Sequence, residues 1–321
     1  MLDWFKRNGG FIMNSNPYLN KRPLTEVVCK HGSSKLFLSA IILGIVYVGL
    51  NLLHLIFTTV SSLNTSMPFV DASIFIDESY YVITIVSALI AVVNSILSFV
   101  LYGYLYSAYC FFSGKSNNPN GLTTFTKIFL AQMIIVIAEM PLAVLGTLFA
   151  LDDSNDTYGV KGAIILIVSI ILIPIIAGVI VLSIFQYKGI KKSVNHAMAA
   201  YENRNVGGVS TFVIVITVFA AVGGGISLIL QLMTMLLSAS FGIYTIISNL
   251  TSLIVLALQF TSVIMFLVLI FRYKNDIENA KGEWFYIEQL KAQIRAQEYA
   301  AQQAAAQQAA TQQATSDNSK V

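Results

Sequence analysis

Six apolar runs leave this chain few folds to choose from: approximately Leu36 to Val60, Val82 to Phe112, Ile128 to Ala150, Ala163 to Tyr187, Thr211 to Ser238 and Ile246 to Phe271. Each exceeds the roughly 20 residues a helix needs to cross the ~30 Å hydrocarbon core of a bilayer. Lipid offers backbone amides and carbonyls no partner, so such runs cross as helices. Composition agrees, because 56% of residues are hydrophobic and only 11% charged, against roughly 25% charged in soluble domains. The expected fold is all-α, a polytopic integral membrane protein with six transmembrane helices in residues 36–274. A segment 1–35 precedes them, and an amphipathic helix (275–299) and an Ala/Gln-rich tail (300–321) follow.

Charge sets the expected orientation. All but Lys161 of the 19 Lys and Arg residues lie in the N-terminal segment, the 113–127 and 188–210 loops, and the C-terminal tail. The alternate loops hold Asp71, Asp77, Glu78, Asp152, Asp153 and Asp156 instead. Positive residues stay on the cytosolic side, so both termini are expected in the cytosol, with the protein in the cell membrane. The same rule accounts for the net charge of +3. A lipid bilayer is therefore the expected partner, and nucleic acid is not. The first 35 residues include Lys6, Arg7, Lys21, Arg22, Pro17 and Pro23. They lack an apolar run ending in a cleavage site, so no signal peptide is expected. Cys29 and Cys110 fall on the expected cytosolic side, where no structural disulfide forms.

Related segments precede the odd-numbered runs: Gly32-Ser33-Ser34-Lys35-Leu36, Gly121-Leu122-Thr123-Thr124-Phe125 and Gly208-Val209-Ser210-Thr211-Phe212, spaced by 89 and 87 residues. This pattern reads as three tandem helical hairpins about a pseudo-three-fold axis. Gly, Ser and Thr are also ordinary helix caps, so local chemistry alone explains part of it. Of the loops on the far side, the longest runs from Ser61 to Tyr81, which excludes a large external domain. Asn64 and Asn155 begin glycosylation sequons there, and the acidic run from Asp152 to Asp156 reads as a solvated loop. In the tail, Trp284, Ile287, Leu290 and Ile294 recur at helical spacing, as a stripe for the membrane surface, a second copy or a protein partner.

Soluble-enzyme signatures are absent: there is no nucleophile elbow, zinc helix, phosphate loop or dinucleotide fingerprint. His31, His54 and His196 are too scattered for a zinc site. No enzymatic activity, cofactor or metal is expected. What remains is Glu139 at the midpoint of the third run, where a charge is most costly and must be protonated, paired or hydrated. Packing has no use for a carboxylate there.

Polar and small residues recur every three or four positions: Gly44, Tyr47, Asn51, His54 and Thr58 in the first run, Ser87, Asn94 and Ser98 in the second, Gln132 and Glu139 in the third. Thr217, Ala221, Gly224, Gln231 and Ser238 share a face in the fifth, and Thr245, Ser248, Ser252, Gln259 and Ser262 in the sixth. Small residues and amides also serve plain helix packing. Pro141, Pro174 and Gly224 are expected to break or loosen their helices. Interrupted helices beside an acid are where transporters bind ions and substrates. The expectation is a small transporter or permease-like carrier, with Glu139, Gln132, Asn51, His54, Asn94, Gln231 and Gln259 along its path. The competing expectation is a non-catalytic scaffold or assembly factor acting through its loops and tail.

Overall fold

The computed structural model describes residues 20–65, 78–152, 160–204, 207–237 and 243–318. Asp153, Asn155, Asp156, most of the long loop (66–77) and the basic pair Lys6 and Arg7 lie outside the described residues. The secondary structure is helical throughout: α1 (Pro23–Gly32), α2 (Lys35–Thr65), α3 (Glu78–Phe112), α4 (Gly121–Asp152), α5 (Val160–Tyr201), α6 (Thr211–Leu237) and α7 (Ile243–Asn318). Six helices are long and apolar enough to cross a membrane, and the chain is a multi-pass, all-α membrane protein.

The spans pack in sequence order as a ring. Each of α2 to α7 lies against the next, and α7 closes the circuit against α2. Pairs across the ring make at most passing contact among the described residues. Large apolar side chains such as Phe219, Leu236 and Ile173 remain exposed on the outside, the surface that acyl chains cover in a bilayer.

The ring is bolted at one end by α1. Pro23 stands in the first turn of this helix, where a missing amide hydrogen costs nothing, and Leu24, Val28 and His31 follow on one buried face. Leu24 and Val28 form a core cluster with Ala108 and Phe112 of α3, Ala200 of α5, and Ile277 and Ala280 of α7. A short helix thus joins the ends of α3, α5 and α7. Within the segment that precedes the first apolar run, Pro23–Gly32 is therefore helical and belongs to the core.

The 188–210 loop is corrected as well, since α5 continues unbroken to Tyr201. Lys188, Lys191 and Lys192 sit on a helix that emerges from the apolar layer rather than on a loop. The last span and the segment after it are one 76-residue helix, about 110 Å long at 1.5 Å per residue. From Arg272 to Asn318 it projects about 70 Å beyond the last apolar run.

The expected helix breaks do not interrupt anything. α4 runs through Pro141 and α5 through Pro174, each losing one amide donor and no turn, and both prolines face outward. Gly224 has a different use. A Cβ there would stand 3.3 Å from the ring of Phe260, so the glycine lets α7 approach α6 closely.

The related segments before α2 and α6 both act as caps. Ser34 Oγ accepts the Phe37 amide at 3.1 Å, and the Ser210 carbonyl accepts the Val213 amide at 3.0 Å. Glycines beside these starts press on the neighbouring helix: Gly32 against Phe112, Gly121 against the Ala108 backbone, and Gly207 against His196.

Candidate functional site

Helix faces decide where the polar stripes point. On α2, Ile42, Val46, Leu53 and Ile56 are exposed, and Gly44, Tyr47, Asn51 and His54 occupy the opposite arc. On α3 the exposed residues are Leu89, Val93, Ile96 and Val100, with Asn94 and Ser98 on the inner side. On α4, Leu130, Ile134 and Pro141 face out, and Gln132 and Glu139, seven residues apart, share the inner face. Three consecutive helices therefore turn their hydrogen-bonding groups toward the ring's centre.

Side-chain contacts then fix the relative depth of these groups. Tyr102 of α3 lies directly on Gly44 of α2 with its hydroxyl near Ser262 of α7, whose Oγ donates to the Ala40 carbonyl at 3.2 Å. Further along, Gln132 Nε2 donates to Ser98 Oγ at 2.7 Å, setting α4 against α3. Gln231 Nε2 donates to the Asn249 carbonyl at 3.4 Å, setting α6 against α7.

Stepping from these contacts at 1.5 Å per residue brings Asn51, His54, Asn94, Glu139 and Gln231 to within about 6 Å of one depth. His54 lies in the outer half of its apolar run and Glu139 at the middle of its own, but helix offset brings the two level. They do not pair: Glu139 has no hydrogen-bond or ion-pair partner among the described residues. Gln259 lies about three turns nearer the α1 end. It stays exposed although it lies on the inward arc of α7, opposite Ile247, Leu250 and Ile254, so the packing is open at its level.

Two groups in this girdle are buried and unsatisfied. His54 Nδ1 and Asn94 Oδ1 have no hydrogen-bond partner among the described residues. A buried polar atom without a partner costs about 1–3 kcal/mol, so native structures rarely keep one without a use for it. The amides of Gln132 and Gln231, by contrast, are accounted for by interhelical bonds.

A second polar cluster sits at the α1 end. Lys30 Nζ donates to Asp276 Oδ2 at 2.7 Å, and His31 Nε2 lies 3.0 Å from the same oxygen. These hydrogen bonds, from Lys30 first and then His31, hold the Asp276 carboxyl below the ordinary carboxylate range. His31 also meets Tyr273 edge-on, with ring centroids 5.8 Å apart. Thr25 Oγ1 donates to the Tyr201 carbonyl at 2.8 Å, and Trp284 Nε1 to the Asn203 carbonyl at 2.9 Å.

Trp284 and Ile287, the start of the expected tail stripe, are therefore used within the chain. His196 Nδ1 contacts the Gly208 carbonyl at 2.9 Å, so the three histidines have three separate settings. Burial raises the Cys29 thiol above its ordinary pKa, which leaves it a weak nucleophile. The pattern Pro23, Leu24, Val27, Val28, His31 was the available signal for α1, a proline-led helix with one apolar face.

The chain matches no protein-family model, no curated protein and no solved structure. Fold and girdle together define a class, the multi-pass membrane protein built as a ring of helices with a polar interior.

Proposed function

We propose that this protein is a non-enzymatic carrier or conduit of the cell membrane, with Glu139 as the group that takes up and releases a proton or cation. The observation that carries the reading is the placement of Glu139. It is a carboxylate without a partner among the described residues, on the inner face of α4, level with His54, Asn94 and Gln231, in a ring whose described members make at most passing contact across the centre. Intramembrane acids that face a bundle interior are the usual site of ion binding and proton relay. Asn51, Gln132 and Gln259 extend the polar lining toward the α1 end. The positive-residue bias supports placing that end, and both termini, in the cytosol.

The test is proton influx into liposomes holding the purified protein, read by an internal pH dye under an imposed membrane potential. Wild type should conduct above empty liposomes, and Glu139→Gln should fall to their level while its circular dichroism is unchanged. Equal flux in Glu139→Gln and wild type would remove the acid from the mechanism.

One observation favours a second reading, a scaffold. Beyond Ile287, α7 presents most of its residues to solvent as far as Gln308, an arm with room for a partner. Truncation after Arg295 spares the part of α7 packed on α1. A carrier keeps its flux after that truncation, whereas a scaffold loses co-purifying protein.

A further inference from the structure

The seam where the last span closes on the first holds a cavity of about 320 Å³. Lys30, His31, Ser34, Arg272 and Asp276 form its polar wall, and Leu36 and Leu269 its apolar wall. We propose that this cavity binds the phosphate of an anionic phospholipid headgroup. The inference is independent of any role for Glu139.

The first argument is position. Leu36 opens the first apolar run and Leu269 lies in the last turn of the sixth, while Lys30, His31, Arg272 and Asp276 lie just outside those runs. The cavity straddles the edge of the apolar layer, the depth at which lipid phosphates sit, and its two leucines can take the first methylenes of an acyl chain.

Charge is the second argument. Asp276 is the one carboxylate in the lining, and it is already shared by Lys30 and His31. Arg272 has no hydrogen-bond or ion-pair partner among the described residues and is exposed. A guanidinium presents a planar fork matched to two phosphate oxygens, and here it stands free at headgroup depth. At the opening of α2 the Phe37 amide is capped by Ser34 Oγ, but those of Lys35 and Leu36 have no partner among the described residues, and these also favour an anion. The volume is at the lower end of ligand pockets, enough for a phosphate with its glycerol and too small for a whole lipid.

The test uses the full chain in neutral detergent, with thermal unfolding followed after adding dioleoylphosphatidylglycerol, dioleoylphosphatidylcholine or sn-glycerol phosphate. A ligand that binds only the folded state raises its midpoint. Phosphatidylglycerol should raise the wild-type midpoint by several degrees over phosphatidylcholine. Arg272→Gln should lose most of that difference while keeping the wild-type midpoint in phosphatidylcholine, and Arg272→Lys should retain most of it. Equal midpoints in the two lipids, or an undiminished difference in Arg272→Gln, would overturn the proposal. A shift of the same size from glycerol phosphate alone would overturn the lipid as the source and leave a soluble organophosphate as the ligand.

Discussion

The ring of Tyr102 lies against the backbone of Gly44 so closely that no side chain fits between α2 and α3 at this point. Through this gap the tyrosine reaches Ser262 on α7, linking three helices. Gly44→Ala should therefore cost about 1–3 kcal/mol through overpacking. Gly103→Ala, in the next helix with nothing within 4 Å of its Cβ position, should be neutral or stabilising. Thermal unfolding in detergent compares the two, and a Gly44→Ala midpoint equal to wild type would disprove the wedge.

Asn203 takes a positive φ of 56° at the turn after α5, and its Oδ1 is buried without a partner among the described residues. Glycine removes both costs. Asn203→Gly should leave stability unchanged or raise it by up to about 1 kcal/mol, and Asn203→Val should lower it by about 1–2 kcal/mol. The Trp284 bond uses the Asn203 carbonyl and survives either change. A destabilised Asn203→Gly would mean that the side chain holds the turn.

Asp276 makes the fold sensitive to acid. Its carboxyl is held below the ordinary range, so the folded state favours the ionised form. That contribution is fully present above the unfolded pKa of about 3.9 and disappears as pH falls through the lower folded value. Asp276→Asn should lower stability at pH 7 by on the order of 1 kcal/mol, because the acceptor shared by Lys30 and His31 loses its negative charge. Below about pH 4 the gap between variant and wild type should shrink, which unfolding curves across pH will show.

Asn94 separates stability from use. Asn94→Leu removes a buried unpaired oxygen and should raise the unfolding midpoint, by roughly 1 kcal/mol of stability. If the girdle conducts, the same substitution stops flux in liposomes. A variant both less stable and fully conducting would place Asn94 among ordinary packing residues.

The six spans and their inward stripes were legible because the bilayer leaves so few alternatives. Ile42 or Leu53 can face lipid and Asn51 cannot, so spacing along α2 already indicates which way each points. The common depth of His54 and Glu139 was not legible. It depends on how far α2, α3 and α4 slide past one another, which is set by Tyr102 on Gly44 and Gln132 on Ser98. Helix α1 escaped for a related reason. Leu24 and Val28 form a two-turn face amid basic residues, and what buries them comes from the ends of three distant helices. Lys188, Lys191 and Lys192 resemble loop residues because charge marks the end of an apolar run, whereas α5 simply carries them out into water.

The bond from Ser262 to Ala40 joins positions 222 residues apart. During synthesis α2 leaves the ribosome well before α7, and until α7 arrives the flank of α2 stays bare. A chain halted before Ile243 would hold an unclosed arc of five spans, with Leu24 and Val28 denied Ile277 and Ala280. The closing of the ring and the burial of that apolar face thus wait on a single late event.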